Sequence, residues 1–301
     1  MKEDRQEIVM KYLKKICLLL CIPFLLTSCK NNDNMEDINI YTTTYPISYL
    51  INTLYSEHSK VYSIYPTGID LKDYKLSDRK LEEYSKSDLF IFNSLDKDRN
   101  YAVKMINLNS KLKVIDVATG MKYDHAIEEL WLNPNNYLMM AENIKTGLTE
   151  YINNPYLKEE IEKKFETLEY DISKLDADLT ETILNANYDT IVVDNDMFLF
   201  LEKHGLKVIS LEENDNLSSN KLEEVKNLIE NKKIKYIYTS NSNTNETVKS
   251  LINNYKVEQI VLNTIHSIDG GITNSNDNYL TIMTNNINEL KKELYKEKSV
   301  S

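Results

Sequence analysis

Eight short apolar runs, separated by segments of helical periodicity, constrain the folding of this chain more than any other feature. They are INIYTTT (38–44), KVYSIYP (60–66), DLFIFNS (88–94), KVIDVA (113–118), DTIVVD (189–194), KVISL (207–211), IKYIYTS (234–240) and EQIVLN (258–263). Most lack polar–apolar alternation, which is the pattern of strands buried on both faces. Helical patterns occupy 45–57, 77–87, 135–152, 197–204, 219–231, 244–254 and 278–297. Strands alternating with helices imply a parallel α/β sheet. Four runs lie before residue 155 and four after residue 185. The expected fold is therefore α/β with two lobes, each a central four-stranded parallel sheet flanked by helices.

Between the halves, Ile161, Phe165, Leu168, Ile172, Leu175, Leu179 and Ile183 recur at spacings of three and four. That spacing predicts one rigid amphipathic helix over 155–184, about 45 Å long at 1.5 Å per residue. A coiled-coil dimer would carry the same stripe. Packing on both lobes of a monomer accounts for it more simply. The expected divisions are 38–154 for the first lobe, 155–185 for the connector and 186–301 for the second. Ligands of such folds bind beyond the carboxyl ends of the strands. The segments to inspect are 65–74, 126–134, 194–198 and 262–269.

The N-terminus reads as an export signal. Lys11, Lys14 and Lys15 precede the twelve-residue apolar run ICLLLCIPFLLT, Ile16 to Thr27. A bilayer span needs about 20 residues, so this run fits a signal-peptide core instead. Leu26-Thr27-Ser28-Cys29 then has the form of a lipobox, with cleavage after residue 28 and a palmitate-type diacylglycerol on Cys29. Residues 29–37 form a polar tether. The expected location is the outer face of the cell membrane, held there by lipid. The start itself is either Met1 or Met10. The three cysteines stand at 17, 21 and 29, so the body has no free thiol and no disulfide. A cysteine-based metal or redox site is excluded.

Loss of the leader removes five basic and three acidic residues, taking the formal charge from −11 to −13. Such acidity argues against a nucleic-acid partner. No GxSxG, HExxH or phosphate-loop motif is present, and the chain is not expected to be an enzyme.

Several segments, in order, carry a family resemblance. They are TTTYPISYLINTL (42–54), IYPTGIDLKDYKLSDRKLEEYSKSDLFIFNSL (64–95), ELWLNPNNYLMMAENI (129–144), NDMFLFLEKHGLKVISL (195–211) and NDNYLTIMTNNINELKKEL (276–294). Together they resemble the zinc and manganese solute-binding lipoproteins of ABC transporters across nearly all of the mature chain. The resemblance implies an ABC permease as partner and Zn²⁺ or Mn²⁺ as transported ligand, with no catalytic cofactor. It also implies a metal site between the lobes, with ligands at four positions. Here those positions hold Lys72, Glu129, Asn195 and Asn263 where the family has His, His, His or Glu, and Asp.

An ammonium cannot ligate a metal and neutral Asn is a weak zinc ligand, which leaves Glu129 as the one good donor. Two expectations follow for the cleft. In one, the site is degenerate: Lys72 replaces the cation, paired with Glu129 and hydrogen-bonded by the two amides. In the other, the site is rebuilt from Glu129 with Asp73, His125, Asp196 and His266, a carboxylate-rich set suited to a harder ion such as Mn²⁺. His58 and His204 lie in helical patterns away from the strand ends. The alternative function is a divergent lipoprotein that no longer binds metal, serving as an adhesin or surface antigen or taking a polar organic solute.

Overall fold

In the computed structural model, which describes residues 35–66, 74–215, 217–265 and 277–297, all eight apolar runs are strands. β1 (Ile38–Thr42), β2 (Ser59–Ser63), β3 (Leu89–Phe92) and β4 (Lys113–Asp116) form one sheet in the order β2-β1-β3-β4. β5 (Thr190–Val193), β6 (Lys207–Ser210), β7 (Tyr236–Thr239) and β8 (Glu258–Val261) form a second in the order β6-β5-β7-β8. Every pairing is parallel. Central β3 is buried at all four residues, whereas edge strand β2 has no buried residue. This difference explains why the inner strands read as continuous apolar runs.

The helices are α1 (Tyr45–Tyr55), α2 (Asp78–Tyr84), α3 (Asp98–Leu108), α4 (Glu129–Leu132), α5 (Pro134–Tyr151), α6 (Pro155–Leu184), α7 (Ser219–Glu230), α8 (Glu246–Asn254) and α9 (Tyr279–Leu294). Two Asn-Pro pairs start α5 and α6. Asn133 and Asn154 each accept the N–H of the residue two positions on, and proline occupies the first helical position, where no N–H is needed.

The connecting helix α6 is a single helix of 30 residues, as its stripe predicts. Leu157, Ile161, Phe165, Leu168, Ile172, Leu175, Leu179 and Ile183 are buried. They pack against α1 and α5 from one half and α9 from the other. The stripe is thus satisfied within the chain. Lys145 of α5 lies 4.1 Å above the Phe165 ring and pairs with Glu142 and Glu162, at 3.0 and 3.3 Å. One hydrophobic core runs from Met35 to Leu294 through both halves, and a smaller cluster lines the outer face of each sheet.

Three local features depart from the expectation. Helix α3 was not foreseen between the third and fourth strands. Its apolar Val103, Ile106 and Leu108 are exposed, and only Asp98, Ala102 and Met105 are buried, so no clean stripe marks it. The segment Asp196–His204 is a 3-10 helix, with i→i+3 bonding in place of the α pattern. The pattern over 45–57 divides into α1 and a 3-10 turn, Ser56–His58.

Candidate functional site

The carboxyl ends of the strands supply the loops from which the site is built. The loop before α4 is held by Glu129, which is fully buried. Its carboxylate accepts the backbone N–H groups of Asp124 (3.2 Å), His125 (2.9 Å) and Ala126 (3.3 Å). Its side chain is therefore committed to the backbone of its own loop. The side chain of His125 is exposed.

The other two described positions of the expected cleft behave in the same way. Asn195 caps the 3-10 helix through Oδ1, which accepts Met197 N–H at 2.9 Å. Asn263 Oδ1 accepts Ile265 N–H at 2.8 Å in the turn after β8. Asp196 donates its N–H to Glu212 and accepts the Asn214 amide at 3.0 Å. Lys72, Asp73 and His266, and Cys29, the expected lipidation residue, lie outside the described residues.

Glu129, Asn195 and Asn263 sit on elements that meet where the two halves join. α4 packs against the Asp196–His204 helix. Lys203 of that helix reaches Asp124 at 2.9 Å. The Trp131 indole N–H donates to the Thr264 carbonyl at 2.8 Å. A run of tyrosines lines the same junction: Tyr45, Tyr49, Tyr279 and Tyr137, with Tyr279 stacked on Tyr137 at 3.8 Å between centroids.

Two buried aspartates lie beyond the strand ends, one inside the segment 194–198 marked for inspection and one that the sequence reading does not single out. Asp194 follows β5 and is well served. It accepts Ser240 N–H (3.0 Å), Ser240 Oγ (3.3 Å) and Thr244 Oγ1 (3.0 Å). Burial still pushes its carboxyl upward against those hydrogen bonds. Asp98, at the start of α3, is served less well. It accepts Tyr65 O–H at 2.5 Å, and the buried Thr43 hydroxyl lies beside it and favours its charged form, although neither Thr43 Oγ1 nor Asp98 Oδ2 makes a well-aligned hydrogen bond. Burial pushes its carboxyl from 3.8 up to about 6, and the Tyr65 bond only partly resists that. The neighbouring Lys97 donates to the Tyr74 carbonyl at 3.2 Å and lies over the Tyr65 ring. The signal for Asp98 was an acid in the first turn of a helix, and the helix itself was unseen.

Among the described residues, the one group of three His and carboxylate side chains at metal-ligand spacing is Glu57, His58 and Glu160, within 4.8 Å of one another. It lies where the turn before β2 meets α6. Lys164 already stands among these groups, 2.7 Å from Glu160 and 3.2 Å from Glu57, with His58 at 3.0 Å from Glu160. The ammonium fills the place of a cation, and the cluster is an ion-pair network.

The family model for ZnuA, described as zinc-uptake complex component A, periplasmic, matches residues 40–293. The zinc-binding lipoprotein AdcA of Streptococcus pneumoniae (strain ATCC BAA-255 / R6) is 24% identical over 93% of this chain. The chain spans 61% of that relative's length. A metal ABC transporter substrate-binding lipoprotein of Lactococcus lactis subsp. lactis is 26% identical over 62% of this chain and 65% of its own. The solved structure of the metal-dependent lipoprotein YcdH from Bacillus subtilis superposes with a TM-score of 0.72 at 19% identity, covering 86% of this chain and 99% of that one. Zn(II)-bound AdcA from Streptococcus pneumoniae gives 0.71 at 22%, covering 88% and 59%. These likenesses establish a shared fold of two parallel sheets joined by one long helix. No helix among the described residues is long and apolar enough to cross a membrane. The family is one of solute-binding components rather than enzymes, and over 40–293 this chain belongs to it, the ZnuA family.

Proposed function

We propose that the protein is the surface-anchored solute-binding component of a zinc- or manganese-type ABC uptake system, with an altered site between its lobes. Family membership over nearly the whole body supports the transport role and implies an ABC permease as partner. The observation that carries the altered site is Glu129, buried and bonded to three backbone N–H groups at the position the family gives to a ligand. Asn195 and Asn263 likewise bond local N–H groups. Zinc binding draws its strength from neutral imidazoles and anionic groups that converge on one point. Lys72 at the first position adds a positive charge that repels a divalent ion.

Competition with a zinc chelator tests this reading. The comparison is between the wild type and a variant with Lys72→His, Glu129→His, Asn195→His and Asn263→Asp. The variant is expected to bind one Zn²⁺ about a hundredfold more tightly than the wild type. Tight one-to-one binding by the wild type would reject the degenerate site. It would favour a rebuilt one using Asp73, His125, Asp196 or His266. The anchoring is tested separately. Cys29→Ala is expected to abolish incorporation of a labelled fatty acid, and equal labelling of both proteins would rule out lipid on Cys29.

A further inference from the structure

Trp131 is the only tryptophan in the chain, and it is 2% exposed. It stands two residues after Glu129 in α4, on the N-terminal side of the connector. Its indole N–H reaches the carbonyl of Thr264, 133 residues away in the other half. Thr264 directly follows Asn263. The Trp131 carbonyl in turn accepts the Tyr279 hydroxyl at 2.7 Å. Tyr279 is stacked on Tyr137, whose own hydroxyl donates to the Pro46 carbonyl at 2.8 Å. Trp131 is thus gripped at its indole by the turn after β8 and at its backbone by the first residue of α9.

The turn it holds is a strained one. Ile265 has φ +58°, a conformation rarely tolerated by a β-branched residue. Such backbone persists only where the surroundings over-determine it, and it gathers at ligand-binding sites. Here several contacts fix the turn. Asn286 bonds both the N–H and the carbonyl of Asn263, at 2.9 and 2.8 Å. Asn263 Oδ1 takes the Ile265 N–H. The Ile265 side chain is 1% exposed. The Trp131 indole supplies the contact from across the lobe boundary.

We propose that Trp131 is a positioning residue of the cleft. Its indole N–H holds the Asn263–Ile265 turn of one half at a set distance from Glu129 of the other. The inference rests on the reading that these two positions belong to the solute site. A buried indole N–H takes an acceptor wherever it lies. What sets this one apart is that its acceptor belongs to the other half and directly follows Asn263. A group that orients a binding position from behind contributes about tenfold or more to metal affinity.

The test uses Zn²⁺ as probe and the fourfold variant described above as parent. Trp131→Phe in that parent keeps the ring and deletes the N–H. Zinc affinity is expected to fall about tenfold. In the ¹⁵N-labelled parent, the single indole cross-peak is expected to move as zinc is added. Tyr279→Phe keeps the stack on Tyr137 but removes the bond to the Trp131 carbonyl, so a smaller loss in the same direction is expected. This second variant decides the matter if Trp131→Phe does not fold. Unchanged zinc affinity in these variants, with an unmoved indole peak in the parent, would overturn the proposal and leave Trp131 as packing. A parent that is folded, as its amide spectrum shows, yet binds no zinc would overturn the transport-site reading and this inference with it. That outcome is visible before either variant is made.

Discussion

Glu129→Ala is expected to destabilise the protein by about 4 kcal/mol, read from the midpoint of urea unfolding at constant slope. The carboxylate is fully buried and takes three backbone N–H groups from one short loop. Hydrogen bonds to a charged acceptor are worth more than neutral ones, and each N–H left unpaired adds its own desolvation cost. Truncation also leaves a cavity at a fully buried position. Glu129→Gln is the control. It keeps the volume and one oxygen but turns an NH₂ toward the remaining donor, so about half the loss is expected. If both variants unfold within about 0.5 kcal/mol of wild type, the loop is not held by this side chain. The same result bears on the restored zinc site. Changing Glu129 to His returns a metal ligand and also releases three N–H groups, so bound metal has to compensate for both.

Asp98→Asn is expected to stabilise the protein at pH 8 by up to about 3 kcal/mol. Burial raises the Asp98 carboxyl from 3.8 to about 6 in the folded state. The folded protein therefore holds this proton more tightly than the unfolded chain. The stabilisation this gives is complete below about pH 4 and is lost as pH rises through about 6. Above that, the wild type keeps a charge in a nearly dry site, with one oxygen lacking a well-aligned hydrogen bond. An Asn there is neutral at every pH. Its oxygen accepts the Tyr65 hydroxyl, and its amide faces the buried Thr43 hydroxyl, which can accept as well as donate. The two proteins should converge near pH 4 and separate toward pH 8. An Asn variant less stable than wild type at pH 8 would show that the charge has a partner, such as a bound cation or water. Asp98 and Lys97 bond Tyr65 and Tyr74, which flank in sequence the first expected cleft position, Lys72. A carboxylate costly at neutral pH in that place fits a site kept for function rather than for stability.

The architecture was legible because its signals are local. Strands such as LFIF, buried on both faces, must be apolar at every residue. The stripe of α6 must recur every three or four residues because one side faces both sheets' helices. Helix α3 was hidden for the opposite reason, since Val103 and Leu108 point outward and blur the stripe. The surrounding words of the family pattern give the expected cleft positions. They do not give the roles. The expected partner of Glu129, Lys72, lies outside the described residues, and what the structure shows of Glu129 is a loop closed through N–H groups three to five residues before it. Backbone donors of that kind exist at every position and leave no mark in a sequence. The Tyr65–Asp98 bond joins residues 33 apart, and Trp131 meets Thr264 across 133. Such pairings become visible only once the chain is folded.

The core that runs without a break from Met35 to Leu294 has a thermodynamic consequence. The apolar face of α6 is shared, so neither sheet can bury its inner helices unless the connector is in place. Melting one half exposes surface that the other half relies on. The two lobes therefore do not behave as separate folding units joined by a tether. They gain and lose their structure together, as one cooperative system, although each has a sheet and an outer cluster of its own.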